Sequence, residues 1–280
     1  MDTTRELAEF LRDRRARLAP ADVGIPASDR PRRTPGLRRE EVAELAGVSV
    51  DYVVRLEQGR GLRPSASVLD ALARALRLDT DERRYLFDLT GQRAESLDAD
   101  ISEEDDTGPL ERLVADLSPL PAMLINHRFD VLAWNREMAA LMVDFGHLPP
   151  AERNTMRLCL THPGFRDFYL DREQVIREGI ADLRAACAVH ADDTALTELV
   201  ESLHAQSAEF ARLWALHDVR VYGRGTKRLA HPQAGELTVA FEVLAPLQNR
   251  DCRLIIYRAA DAASQTALNR IVAGPSSLAG

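Results

Sequence analysis

At 280 residues the chain is longer than an average domain, so we expect two domains. A hydrophobic content of 45% and a charged content of 29% are ordinary for a soluble globular protein and allow a sizeable core. The first residues contain no apolar signal core, and no apolar run approaches the roughly 18 residues that cross a bilayer. These features argue against a membrane partner and predict a cytoplasmic protein.

The net charge of −8 is unevenly distributed along the chain. Residues 1–95 have a balance of +1 and residues 96–280 a balance of −9, and all seven histidines lie in the second part. Such asymmetry predicts two modules with different partners. Arginine supplies every cation except Lys227. The few cysteines lie far apart in apolar surroundings, which predicts buried thiols in a reducing compartment rather than a disulfide framework; they are Cys159, Cys187 and Cys252.

Residues 1–92 predict an all-α domain of five helices. Apolar side chains recur at helical spacing from Leu7 to Leu18, and a long proline-containing loop with three arginines follows. These arginines are candidate phosphate contacts, and a solvated loop explains them equally well; they are Arg30, Arg32 and Arg33. The remaining predicted helices are approximately 38–46, 50–58, 67–76 and 80–90.

Local signals place the boundaries of this module. Ser67 is the expected N-cap of the fourth helix, with Asp70 three positions later as in a capping box, and Gly91 ends the fifth helix. Residues 93–109 are acidic and nearly free of large apolar groups, which predicts a solvated linker.

Residues 110–262 predict an α+β domain, followed by a C-terminal helix and tail over 263–280. Period-two alternation or short apolar runs predict antiparallel strands with one solvated face, and the middle of the domain has helical spacing. We expect a turn at Gly223-Arg224-Gly225. The expected strands are 121–126, 129–133, 236–243 and 252–258, and the expected flanking helices are 110–117 and 135–143.

The segment from Arg39 to Gln58 has the spacing of a helix-turn-helix. Two helices cross steeply only where a small residue lies at the crossing and the turn accepts a positive φ, and Ala43 and Gly47 meet these needs. Ser49 is placed to cap the second helix. An ordinary αα-hairpin is the alternative explanation, but it does not account for all these positions at once.

Together with the preceding LRREEVAELA, the run GVSVDYVVRLEQGR resembles the helix-turn-helix of Cro-repressor-like, or Xre-type, regulators. The resemblance implies that helix 50–58 enters the major groove of an operator, and Arg55 is the candidate for recognising a guanine. Arg39 and the arginines after the helix are candidates for phosphate contacts. The full set of candidate DNA-binding residues is Arg38, Arg39, Ser49, Val50, Asp51, Tyr52, Val54, Arg55, Gln58, Arg60 and Arg63.

Nothing in the second domain indicates an enzyme, a cofactor or a metal. Cys159 and His162 alone supply half of a metal site, and the other histidines lack metal-ligand spacing. An apolar domain on a curved antiparallel sheet is a common way to enclose a small ligand. Candidate ligand-binding residues are apolar or lie at element ends, where core packing is the competing explanation; they are Met123, Trp134, Asn135, Met138, Met142, Phe168, Trp214 and Phe241.

The runs FDVLAWNREM, RNTMRLCLTHPGFRDFY and CRLIIYRA resemble the MmyB-like ligand-binding domain. The resemblance covers about 110–260 and implies a PAS-like fold with a pocket for a small apolar ligand, plausibly a fatty acid or related lipid. His231-Pro232 and Gly235 match a turn of that family and are interpreted as a structural corner.

These features together predict a homodimeric, ligand-responsive transcription regulator that associates with the nucleoid when bound to double-stranded operator DNA. Two alternatives from other classes remain. A DNA-binding adaptor or antitoxin-like protein would bind a partner protein through an exposed apolar patch. An enzyme with a DNA-binding head would need titratable groups with perturbed pKa values in one cleft.

Overall fold

The computed structural model describes residues 3–25, 36–60, 63–92, 107–219, 223–247, 249 and 251–273. The three arginines of the first loop, most of the acidic linker and the tail after residue 273 lie outside the described residues. The chain divides into two compact units, residues 1–98 with 184–197 and residues 99–183 with 198–280. None of the described helices combines the length and apolar character needed to cross a bilayer.

The N-terminal part of the first unit contains the five predicted helices. They surround a core that includes Phe10, Leu37, Leu69 and Leu86, each with 0% of its surface exposed. In chain order the helices are α1 (Thr3–Arg17), α2 (Arg39–Ala46), α3 (Val50–Glu57), α4 (Ala66–Ala75) and α5 (Thr80–Asp88).

The predicted cap of α4 is wrong by two residues. Ser65 has extended backbone angles and its Oγ accepts a hydrogen bond from the Val68 amide at 3.4 Å, so Ser65 rather than Ser67 caps the helix. Ser67 lies inside the first turn and bonds the Ser65 hydroxyl. Asp70 forms no capping box, because the residue three positions after Ser65 is Val68, and the Asp70 carboxylate instead pairs with Arg83 at 2.6 Å.

The first unit also includes residues 184–197, the end of one long helix and the start of the next. Arg184 is fully buried, and its guanidinium pairs with the carboxylate of Glu6. The Tyr85 hydroxyl donates to the same carboxylate at 2.8 Å. Glu6 is therefore compensated by two donors, as a buried carboxylate requires.

The second unit is an α+β fold with a single described sheet of five strands. Its helices are α6 (Gly108–Asp116), α7 (Arg136–Leu141), α8 (Thr155–Thr161), α9 (Arg172–Val189), α10 (Thr194–Gln206), α11 (Ala208–Trp214) and α12 (Ala262–Ala273), of which α9 and α10 contribute residues to both units. Its strands are β1 (Ala122–Asn126), β2 (Val131–Trp134), β3 (Arg224–His231), β4 (Gly235–Leu244) and β5 (Cys252–Ala259).

All strand pairs are antiparallel, in the order β2-β1-β5-β4-β3. This arrangement, with the helices inserted between β2 and β3, agrees with the PAS-like fold that the resemblance implied. The turn at His231–Gly235 is the predicted structural corner, because the His231 Nδ1 accepts from the Gln233 amide at 3.2 Å and Gly235 has φ 74°. It joins β3 to β4.

The turn expected at Gly223-Arg224-Gly225 is wrong. Arg224 and Gly225 begin strand β3, where they pair with Glu242 and Phe241. The phenyl ring of Phe241 lies over Gly225, and a Cβ there would be 2.9 Å from the ring. Glycine is needed at this position for close packing within the sheet rather than for a turn.

The expectation of one solvated sheet face is also wrong, since elements cover both faces. Helices α6, α7 and α12 pack on one face, where Leu124 and Leu254 join a buried cluster with Val114. On the other face, side chains of α8 and α9 meet those of the strands around a cavity.

Asn135 holds the first part of this unit together. Its buried Oδ1 accepts hydrogen bonds from the backbone amides of Ala122 and Met138, which caps α7 and fixes it to β1. Its Nδ2 donates to the carbonyls of Val114 and Leu120. Four backbone groups therefore depend on one side chain.

We predict that Asn135→Ala lowers the free energy of unfolding by about 2–4 kcal/mol, because a helix cap is lost and buried backbone groups lose their partner. Urea unfolding followed by tryptophan fluorescence measures the effect, since both tryptophans lie in this unit. Asn269→Ala, at an exposed position of α12, is the control. Equal stability of the two variants would contradict the assigned role.

Candidate DNA interface and ligand cavity

The turn between α2 and α3 has the geometry that the sequence predicted. Ala43 is buried at the helix crossing, and Gly47 has φ 65°, which a glycine adopts without steric cost. The amide of Val48 bonds the Ala43 carbonyl at 3.0 Å. The Ser49 hydroxyl then caps α3 by accepting from the Tyr52 amide at 3.1 Å. The two helices are therefore fixed by local interactions.

Every candidate DNA-binding residue is at least partly exposed. The outer side of α3 presents Val50, Asp51, Arg55 and Gln58 to solvent, while Val53 and Leu56 face the core. The half-exposed candidates are Arg39, Tyr52 and Val54, and the other exposed ones are Arg38, Ser49, Arg60 and Arg63. The module is thus able to present one face of α3 to a groove.

A buried carboxylate fixes the position of α3. Glu57, with 2% of its side chain exposed, accepts two hydrogen bonds from Arg15 of α1 at 2.6 and 3.0 Å. It accepts a third from Arg39 of α2 at 2.7 Å. Arg15 also donates to the Leu37 carbonyl at 2.8 Å. One charge therefore ties three helices together, and two guanidinium groups share it.

This pairing separates the arginines into two groups. Arg39 is held by Glu57 while 42% of its side chain stays exposed, so its orientation is set within the protein. Within the described part of the chain, no acceptor bonds the guanidinium groups of Arg38, Arg55, Arg60 and Arg63. These cations are available for phosphates or base edges.

The second unit encloses a cavity of about 90 Å³ between the sheet and the helices α8 and α9. Odd-numbered strand residues alternate onto the same face of the sheet and form one wall. The lining residues are Met123, Ile125, Phe129, Met142, Thr155, Met156, Cys159, Tyr169, Val175, Ile176, Glu178, Gly179, Asp182, Lys227, Phe241, Val243, Arg253, Ile255 and Tyr257.

Most of the cavity wall is apolar, and four of its polar residues lie close together. Lys227 Nζ lies 3.3 Å from the Tyr257 hydroxyl and 4.8 Å from the centre of the Phe241 ring. The Tyr169 hydroxyl lies beside the Tyr257 hydroxyl and the Cys159 thiol. Burial raises the pKa of the Cys159 thiol to about 11, so this cysteine is neutral and unreactive at pH 7.

The cavity contains three of the eight candidate ligand-binding residues, Met123, Met142 and Phe241. The other five pack elsewhere in the unit. Trp134 lies against Phe145, Phe168 lies between Phe165 and Tyr169, and Trp214 stacks on Phe210. Met138 is fully buried in α7, and Asn135 forms the cap described above.

Sequence reasoning missed the polar part of the cavity. Lys227, Tyr169 and Tyr257 lie on segments far apart in the chain, and only the folded sheet brings them together. The one available signal was that Lys227 is the sole lysine among 36 basic residues.

The fold and its two sites define a ligand-sensing transcription regulator, in which a DNA-binding helix-turn-helix is joined to a ligand-binding domain. Comparison with known families supports each part. Residues 6–86 match the helix-turn-helix domain, and residues 108–271 match the MmyB-like transcription regulator ligand binding domain. The second match covers more than half of the chain, and the protein therefore belongs to the MmyB-like transcription regulators.

Both matched families are DNA-binding or ligand-binding domains rather than enzymes. A comparison with curated proteins finds no match.

We predict that Glu57→Gln destabilises the helix-turn-helix by about 3 kcal/mol, because it leaves Arg15 partly buried without its counter-charge. Thermal or urea unfolding followed by circular dichroism measures the loss. Glu44→Gln removes an exposed carboxylate from α2 and is the matched control. A change below about 0.5 kcal/mol, as for an ordinary surface substitution, would show that the network does not stabilise the module.

Proposed function

We propose that this protein binds a specific operator as a homodimer and that a small apolar ligand, a fatty acid or related lipid, alters that binding. The proposal depends on two features that occur in one chain. The first is an exposed α3 with arginines on and around it whose guanidinium groups have no acceptor among the described residues. The second is a largely apolar cavity in the second unit. Neither feature alone distinguishes a regulator from a constitutive DNA-binding protein or from a lipid carrier.

The charges around α3 support two kinds of DNA contact. Arg55 projects from the exposed side of α3 and has the fork of donors that matches guanine O6 and N7. Arg38 and Arg60 lie just before α2 and shortly after α3, and we expect them to contact phosphates. Asp51 is exposed in the first turn of α3 and disfavours close approach of a phosphate there.

A dimer is proposed on grounds of selectivity. One helix-turn-helix contacts only a few base pairs, which is too little to distinguish an operator from the rest of a genome. Two modules related by a two-fold axis double the number of base contacts, and their half-sites then lie about one turn of DNA apart.

The composition of the cavity supports an apolar ligand. Three methionines line it, Met123, Met142 and Met156, and their unbranched side chains adapt to ligands of different length. The volume of about 90 Å³ suits a small molecule, and a longer chain requires these side chains to move. A lipid would bury its chain among Ile176, Val243 and Ile255.

Regulation requires that the ligand bind one arrangement of the protein more tightly than another. A ligand that bound all arrangements equally would shift no equilibrium, however tight its binding. We therefore expect ligand and operator to alter each other's affinity by the same factor.

We predict that Arg55→Ala and Arg38→Gln weaken DNA binding in different ways. Loss of Arg55 costs about 1–3 kcal/mol on the operator and relaxes the preference at one base pair, because a base contact is removed. Loss of Arg38 weakens operator and random DNA alike and lowers the slope of log K against log salt by about 1, because a phosphate contact is removed. Titrations of a selected operator and of random DNA at several salt concentrations measure both effects.

Arg84→Ala is the control for these variants, since Arg84 is exposed on α5 and pairs with Asp81 in its own helix. Arg39 is a poorer choice for this test, because its removal also disturbs the Glu57 network. Equal losses on operator and random DNA for Arg55→Ala would contradict the proposed base contact.

We predict that Gly179→Leu reduces the amount of bound ligand. A Cβ at this position of α9 would lie 2.5 Å from the Met156 sulfur, so a larger side chain pushes Met156 into the cavity. Native mass spectrometry of the purified protein, after incubation with a fatty acid, measures occupancy per chain. Ala205→Leu, at an exposed position of α10, is the matched control. Full occupancy in folded Gly179→Leu would place the ligand outside this cavity.

A further inference from the structure

Lys227 is the only lysine of the chain, and its partly buried side chain lines the cavity. It extends from β3 over three aromatic rings. Its Nζ lies 4.8 Å from the ring centre of Phe241, 5.6 Å from that of Tyr169 and 5.7 Å from that of Tyr257. At every other position where this chain has a cation, it has arginine.

Among the described residues, no carboxylate lies within 4 Å of this ammonium group. The other charged groups of the cavity have their own partners. Arg253 pairs with Asp182, and Glu178 accepts a hydrogen bond from Gln174 at 2.6 Å. Within the described part of the chain, Lys227 donates only to the Tyr257 hydroxyl, at 3.3 Å. At least one donor hydrogen of Lys227 is therefore available to a ligand.

The charge state of Lys227 decides which chemistry is available. Burial lowers the pKa of the ammonium group, but Tyr257, Cys159 and Glu178 together raise it by more, so that the pKa lies above its ordinary value. A ligand carboxylate beside the amine would favour its charged form, as the Glu178 carboxylate does. A charged ammonium is not a nucleophile, so Lys227 is suited to bind an anion rather than to form a covalent adduct with a carbonyl.

A cation inside an apolar cavity is costly unless a counter-charge compensates it. The aromatic rings and one hydroxyl supply only part of that compensation. We infer that Lys227 binds the carboxylate head group of the ligand, so that the cavity selects amphipathic monoanions. This inference rests on the proposed ligand-sensing function and assigns the polar end of the same site.

The surroundings favour a carboxylate over a phosphate. Only one unpaired cation is present among the described lining residues, which matches a single negative charge. The carboxylate of Glu178 lines the same cavity and repels a second negative charge. The apolar chain of the ligand would then extend along Phe241 and Ile255 towards Met123.

The test compares decanoate with 1-decanol, methyl decanoate and decyl phosphate, which share a chain and differ in the head group. We expect the delipidated full-length protein to bind decanoate roughly tenfold or more tightly than the alcohol or the ester, since a charge-assisted hydrogen bond is lost with either neutral head group. Lys227→Met should remove this preference. Arg228 is the next residue of β3 and has an exposed side chain, so the control variant Arg228→Met should retain the preference for decanoate.

A single lysine also permits a direct spectroscopic test on the wild-type protein. Selective ¹³C and ¹⁵N labelling of lysine gives one set of side-chain signals, which come from Lys227 alone. Because this test uses the wild-type protein, it does not depend on the folding of any variant. Decanoate should shift the Lys227 signals saturably, and decanol at the same occupancy should not.

The outcomes separate the inference from the proposed function. If the wild type binds decanoate and decanol equally, or if folded Lys227→Met retains the preference, the assignment of Lys227 is wrong while ligand sensing stands. Tighter binding of decyl phosphate than of decanoate would overturn the choice of a carboxylate. If none of the four compounds binds, both the inference and the proposed lipid ligand are wrong.

Discussion

A charge removed from water must find a partner, and the two units of this protein meet that constraint in opposite ways. In the helix-turn-helix, the buried Glu57 carboxylate is compensated by Arg15 and Arg39, and the three side chains fix the positions of α1, α2 and α3. In the cavity, the Lys227 ammonium has aromatic rings and a hydroxyl around it, but no carboxylate among the described residues within 4 Å. The first arrangement is complete within the protein, and the second suits completion by a ligand.

The difference between the paired Glu57 network and the Lys227 group, without a carboxylate partner among the described residues, corresponds to the different functions proposed for the two units. The paired charge network fixes α3 relative to α1 and α2, and the base contact proposed for Arg55 depends on the resulting orientation of α3. The cavity instead combines a fixed wall, formed by the odd-numbered residues of β1, β4 and β5, with flexible methionine side chains on that wall and on α8. A fixed polar group with an adaptable apolar wall recognises a class of ligand rather than one molecule.

The sequence predicted those parts of the structure that depend on local interactions. The helix-turn-helix follows from Ala43, Gly47 and Ser49, whose roles are decided within a few residues, and the strong alternation of 236–243 identified β4. Strand β3 was missed because its first half is exposed and polar, so that only pairing with β4 makes it a strand. The cap at Ser65 was misplaced because two serines two residues apart satisfy the same local pattern. The polar cluster of the cavity could not be predicted, since Tyr169, Lys227 and Tyr257 meet only through long-range packing.

The measurement that tests the central claim most directly is the affinity of one preparation for its selected operator before and after extraction of bound lipid, with re-addition of the lipid as the third arm. If the protein couples the cavity to DNA binding, the affinities should differ by roughly 5- to 150-fold, the usual range of coupling between two sites, and re-addition should restore the first value. Equal affinities in all three arms, with lipid occupancy verified, would contradict a ligand-sensing regulator and leave two independent binding activities in one chain.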